Sequence, residues 1–171
     1  MSIGSGVTPN PPAATNGWTA ASSRWCPSAA LPRGKTAVYK ALERAIARAG
    51  LDCQAFPDGA TIEIGDCDYE PDAMVNCGQP IADEAVAAPN PVIVVEVLSP
   101  GTASTDTGAK LAGYFSLPSI MHCLIVHPIR WSVTYRRRMK DGISTVVIVN
   151  GPIRLDPPGI TITIDEIYGP Q

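Results

Sequence analysis

The sequence contains no Cys-x-x-Cys pair, no apolar run approaching the ~20 residues that a membrane-spanning helix needs, and no surplus of basic side chains. Its five cysteines, at 26, 53, 67, 77 and 123, are odd in number and lack paired spacing. Neither a complete disulfide framework nor a zinc ribbon is supported, and reduced thiols in a cytoplasmic protein are the expectation. The start of the chain lacks the basic residues and apolar middle of a signal peptide, so a soluble protein without a membrane partner is expected. With 13 Lys and Arg against 16 Asp and Glu, the net charge is -3 and the pI near 5.3. That balance argues against holding nucleic acid by bulk attraction alone, so any such role must rest on local patches. No internal repeat is present.

What is present fits one domain. At 171 residues and 45% hydrophobic, the chain can bury a core. Residues 1–32, rich in Gly, Pro, Ser, Ala and Thr, read as a loosely packed leader, with Trp18 and Trp25 as its apolar exceptions, and 33–171 as the folded domain. Apolar positions Val38, Leu42, Ala45, Ile46 and Ala49 recur at helical spacing, predicting a helix from Lys35 to Ala49 that Gly50 stops. Strands are predicted over 52–56 and 60–64, joined as a hairpin by Pro57-Asp58-Gly59, then over 71–76. The run 91–98 is the most apolar, as expected of a strand buried on both faces. A helix over 103–115 follows, started by Thr102 or Ser104, then a strand over 121–126, a hairpin of 131–137 with 143–149, and a last strand over 160–164.

Glu96 interrupts the apolar run, and an ionised carboxylate in a buried strand costs several kcal/mol unless a cation, metal or hydrogen-bond set compensates it. Asp72, at the start of another strand, supplies a second carboxylate that strand pairing would bring beside it. Two facing carboxylates repel unless protonated or bridged, and magnesium or manganese prefers such hard oxygen ligands. Asp106, Lys110 and Tyr114 fall at i, i+4 and i+8, on one face of the following helix. Lys110 can point back over the strand end toward a scissile phosphate with Asp106 steadying it, or the two can form an ordinary i,i+4 ion pair.

Taken together, Tyr69-Glu70-Pro71-Asp72, the segment Pro91 to Pro100, and Thr102, Asp106, Lys110 and Tyr114 resemble the Uma-type putative restriction endonuclease family of the PD-(D/E)xK nuclease-like superfamily, over about residues 50–140. The resemblance implies an α/β fold with a restriction-endonuclease-like central mixed β-sheet flanked by helices, and an additional β-hairpin. It implies Asp72 and Glu96 as catalytic ligands of magnesium, with manganese as a substitute, helped by the backbone carbonyl of Val97. Lys110 takes the place of the superfamily's lysine, whose usual slot here holds Leu98, and Asp106 stands behind it. DNA is the implied substrate and a homodimer an implied assembly, because cutting two strands calls for two sites. The hairpin over 131–149 can provide that interface or cover the core. The chain departs from the family in its entry motif, offering Asn16-Gly17-Trp18 and Leu31-Pro32-Arg33-Gly34. The alternative is therefore a catalytically impaired nuclease fold acting as a binding or assembly module. A third class is a metal-dependent hydrolase of a small phosphoester.

Other chemistry-bearing residues have simpler readings. Glu43 lies near the metal in this superfamily's geometry or pairs with Lys40 or Arg44. His122 and His127 lack metal-ligand spacing and read as packed or strand-end histidines. Cys123 reads as a buried small hydrophobe. Arg130, Arg136, Arg137, Arg138 and Lys140 form either a phosphate-contacting patch or a solvated hairpin tip, and the three consecutive arginines cannot all point one way. Nine acids crowd 52–84 with no Lys or Arg among them, so the net charge averages a cation-attracting segment with basic ones on either side.

Overall fold

The computed structural model describes residues 30–81, 87–99 and 106–170, with the side chains of the two longer helices described from 34 and from 110 onward. The leader up to residue 29, the proposed caps Thr102 and Ser104, and the side chain of Asp106 lie outside the described residues. Helix α1 (Ala30–Ala49) begins five residues before Lys35 and buries Val38, Ala41, Leu42, Ala45 and Ile46, the stripe its periodicity predicts. Strands β1 (Cys53–Pro57), β2 (Ile62–Ile64), β3 (Cys67–Tyr69), β4 (Ala73–Cys77) and β5 (Pro91–Val97) follow. Helix α2 (Asp106–Tyr114) leads to β6 (His122–His127), β7 (Ser132–Met139) and β8 (Gly142–Ile148). The chain continues through β9 (Pro152–Leu155) and β10 (Ile160–Thr163) into α3 (Ile164–Tyr168).

Six strands form one mixed sheet in the order β1-β4-β5-β6-β7-β8, antiparallel throughout except for the parallel β5–β6 step that α2 bridges. Because successive side chains point to opposite faces, the buried run of β5 feeds two cores. Ile93 and Val95 pack with Val38 and Leu42 of α1, Ile160 and Ile162 of β10, and Ile164 and Ile167 of α3. Val94 packs on the other face with Leu111 and Tyr114 of α2 and with Ile62 of β2. On that second face β3 lies over α2, where the rings of Tyr69 and Tyr114 are 5.4 Å apart. A Cβ at Gly113 would stand 2.7 Å from the Tyr69 hydroxyl, so only glycine admits so close an approach. No helix among the described residues is long and apolar enough to cross a membrane.

Three sequence expectations are corrected. The 52–56 and 60–64 segments do not pair as a hairpin: β1 pairs with β4 over five residues, from Cys53–Cys77 to Pro57–Ala73, and β2 pairs with β3. A five-residue ladder against the buried β4 extends the main sheet, which a ribbon with the three-residue β2 cannot do. The β1–β4 register sets Cys53 against Cys77, and the two form a disulfide (S–S 2.06 Å) where reduced thiols were expected. Finally, Ile164 opens a helix instead of closing a strand. Thr163 accepts from the Glu166 amide while the Glu166 carboxylate accepts from the Thr163 amide, a reciprocal cap that ends β10.

Candidate active site

Glu96 is the one residue of β5 that is only partly buried, the rest being buried, and it projects toward α2. There the Tyr114 hydroxyl donates to Glu96 Oε1 at 2.6 Å, and Lys110 Nζ stands 3.1 and 3.4 Å from the two carboxylate oxygens. The i,i+4 spacing of Lys110 and Tyr114 is what lets two donors from one helix face converge on one carboxylate. Burial raises the Glu96 pKa above the ordinary carboxylate range, with the Asp72 charge adding to the rise; the Tyr114 hydrogen bond and Lys110 oppose it. Burial, then the Glu96 charge, pushes the Tyr114 phenol up, so it remains a donor.

Asp72 lies one residue beyond the registered pair Ala73–Val95, so the antiparallel β4–β5 ladder sets it opposite Glu96. Its Oδ2 accepts the Val97 amide at 2.5 Å, and its Oδ1 meets Lys35 Nζ at 2.6 Å. Lys35 also reaches Asp58 at 2.8 Å. Burial works against the Lys35 charge, but the hydrogen bonds and charges of Asp58 and Asp72 outweigh it and hold the ammonium above the usual lysine range. Lys35 reaches this place because α1 passes the end of β5 at Gly34, where a Cβ would lie 3.4 Å from Val97 Cγ1. An open cleft of about 390 Å³, lined by Lys35, Thr36, Tyr39, Pro57, Asp58 and Asp72, borders this side. The carboxylates are 13% and 15% exposed and the two lysines 30% and 35%, so all four are shielded yet reachable from solvent.

The fold thus brings together Asp72, Glu96, Val97, Lys110 and Tyr114 of the expected constellation. Sequence reasoning missed Lys35 and Asp58. The available signal was charge balance: no Lys or Arg stands between Arg48 and Lys110, so two adjacent carboxylates need cations from outside that stretch. Glu43 accepts from Tyr39 at 3.0 Å instead of pairing with Lys40 or Arg44.

Two of the arginines serve the fold. Arg138 donates to the carbonyls of Phe115, Leu117 and Ile120, securing the connection after α2, and Arg137 donates to the Asp156 carbonyl. Cys123 is buried, and burial pushes its thiol up to about 12, which removes it as a nucleophile. His127 Nε2 lies 2.9 Å from Thr134 Oγ1.

His122 is fully buried between the Pro157 carbonyl and the Tyr135 hydroxyl, and burial lowers its pKa to about 4. The unfolded chain therefore binds a proton that the folded one refuses between about pH 6.5 and 4, and stability falls as pH drops through that window. Urea unfolding at pH 7 and pH 5 should show a loss of about 2 kcal/mol from this group. His122→Gln should flatten the difference, and an unchanged slope would show that another group sets it.

A protein-family model for Uma2, described as "putative restriction endonuclease", matches residues 33–165. The chain belongs to the Uma2 family. A crystal structure of a putative nuclease belonging to DUF820 from Anabaena variabilis superposes with a TM-score of 0.65 over 81% of this chain and 80% of that one, at 15% identity, so the likeness speaks to the fold. An uncharacterized Synechocystis protein, slr1290, is 27% identical over 124 residues, and the match spans 65% of each chain. The mixed six-stranded sheet flanked by helices is thus a fold shared with that structure, and the β5 end is where this Uma2 member carries its paired carboxylates.

Proposed function

We propose that this Uma2 member is a magnesium-dependent endonuclease that hydrolyses DNA phosphodiester bonds, with manganese able to substitute. The observation that carries the reading is Asp72 set opposite Glu96 at the end of a buried strand, each carboxylate beside a lysine. The donor set fits a hard divalent cation: the ammonium of Lys35, 2.6 Å from Asp72 Oδ1, marks a position where positive charge is already favoured. Among the described residues no cluster of three or more His, Cys, Asp or Glu is assembled, so the ion would draw on Asp72, Glu96, the Val97 carbonyl and water. When bound, it would polarise the phosphodiester and lower the pKa of a bound water.

The chain's own groups do the rest. Tyr114 fixes one oxygen of Glu96 and so orients the carboxylate, while Lys110 offsets negative charge developing on the phosphate. Asp106 would steady Lys110 from the preceding turn. No organic cofactor is required. The Val97 amide holds Asp72 in place, and Lys35 must release Asp72 before a cation can use Oδ1.

The competing reading is a catalytically impaired binding or assembly module, and one observation favours it. Lys110 pairs with Glu96, and Lys35 with both Asp72 and Asp58, so each carboxylate of the facing pair already has a cationic partner without metal. Supercoiled-plasmid nicking with magnesium, against an EDTA control, separates the two. Under the endonuclease reading Lys110→Ala should slow nicking about 10²-fold, as expected for loss of one electrostatic donor, while leaving manganese binding measurable by calorimetry. Absence of wild-type nicking together with no manganese heat sensitive to Asp72→Ala would favour the module, and screening small phosphoesters would test the third class.

A further inference from the structure

Every large apolar side chain that remains exposed among the described residues falls between Ile129 and Val149. Four of them, Ile143, Val146, Val147 and Val149, belong to β8 or directly follow it, and Val147 is 64% exposed. β8 is the last strand of the six, paired on one side with β7 in an unbroken register from Val133–Ile148 to Met139–Gly142. Edge strands of stable monomers are usually blunted by a charge, a proline or a bulge, since an open row of amides and carbonyls recruits another strand. From Gly142 to Val149 there is no charged residue and no proline, and the β7–β8 ladder shows no bulge. The opposite edge of the sheet, β1, ends in Pro57 and is tied to β4 by the Cys53–Cys77 disulfide.

What covers this edge is constrained by its chemistry. Alternation puts Val146 and Ile148 on the α1 face and Ile143, Thr145 and Val147 on the α2 face, so the edge is apolar above and below its open backbone. A nucleic-acid or acidic partner would meet no cation along the strand. A second β8 fits: it is apolar on the same two faces, and antiparallel approach sets no like charges against each other because neither strand carries any. Such a contact is self-complementary and closes about a two-fold axis without exposing a further edge. The exposed apolar side chains of the edge itself, Ile143, Val146 and Val147 with Val149 just after it, would flank the new ladder on both faces of the joined sheet.

We propose that β8 pairs antiparallel with β8 of a second copy, joining two six-stranded sheets into one. The two-fold axis then runs normal to the sheet, so both copies of Glu96 lie on the same face. The β5–β6–β7–β8 register sets Glu96 level with Val147, near the axis along the strand direction. The two sites are then separated mainly across the sheet, by seven strand spacings of about 4.8 Å, roughly 34 Å. The pairing stands independently of whether the site cuts DNA.

Sedimentation equilibrium of the full chain over a dilution series is the test, with circular dichroism to verify folding. The wild type should run at twice the 18.0 kDa chain mass, and Val147→Lys, or Ile143→Glu as an independent variant, should run at 18.0 kDa with unchanged secondary structure. The dimer dissociation constant should weaken at least 100-fold in each. A wild type that is monomeric at about 100 μM, a dimer that persists in both variants, or an open-ended series of larger species would overturn the proposal. Hydrogen exchange covers the case in which both variants misfold. Amides of 142–148 in the wild type should exchange faster on dilution below the dissociation constant, and rates independent of concentration would overturn the pairing.

Discussion

Asp72→Ala and Glu96→Gln should each abolish magnesium-dependent plasmid nicking, a fall of about 10³-fold or more, equivalent to about 4 kcal/mol of transition-state stabilisation. The expectation rests on the pair itself: among the described residues two facing carboxylates share the end of β5, and each variant removes one charge from it. Glu96→Gln is the more informative change. Glutamine keeps the shape of the side chain and an acceptor for the Tyr114 hydroxyl, and Lys110, 30% exposed, can turn to solvent once its carboxylate is gone. It also removes a partly buried charge whose burial is unfavourable, as the raised Glu96 pKa reports, so the variant should remain folded while inactive. Nicking rates and manganese calorimetry on the same preparations read both properties. Undiminished cleavage in both variants, or manganese heat unaffected by Asp72→Ala, would refute the site.

The second large effect is on stability. Reducing the Cys53–Cys77 bond, or replacing both residues by Ser, should cost about 3.5 kcal/mol, the chain-entropy value for a loop of 24 residues. The loop it closes runs from β1 to β4 and contains both Asp58 and Asp72. Opening it should therefore also loosen the β1 edge that carries the Lys35–Asp58 contact. Urea unfolding with and without reductant measures the difference, and non-reducing peptide mapping should recover the Cys53 and Cys77 peptides joined. Equal midpoints under both conditions, with no linked peptide, would count against the bond.

The legible parts of this molecule are those written in short-range pattern. The stripe from Val38 to Ile46 announces α1, the unbroken apolar run announces β5, and Lys110 and Tyr114 sit on one helix face because 3.6 residues make a turn. Pairing across distance was less accessible. Nothing local distinguishes β1 joined to β2 from β1 joined to β4, and the cysteine pairing appears only once that register is known. Lys35 reaches Asp72 through the docking of a whole helix, which no spacing rule conveys. Arg138 looked like a phosphate ligand or a solvated tip, yet it serves three carbonyls after α2, a demand invisible until the helix end is placed. The Thr163-x-x-Glu166 cap, a local signal, is passed over when the last strand is read through Ile164, which the cap instead turns into α3.

The placement of α1 bears on how the chain folds as it is made. Its N-terminal end delivers Lys35 to Asp72, while its C-terminal end donates from Arg48 to Glu166, a residue synthesised 118 positions later, and to the Thr161 carbonyl. Val38 and Leu42 share their core with Ile160, Ile164 and Ile167. The helix can form early on the ribosome, but part of the surface that receives it does not yet exist. Contacts so distant in sequence close late and slowly. The Lys35 side of the site should therefore be completed only after β10 and α3 emerge, so a nascent chain halted before residue 160 would hold Asp72 and Glu96 without the fully seated helix that brings Lys35 to them.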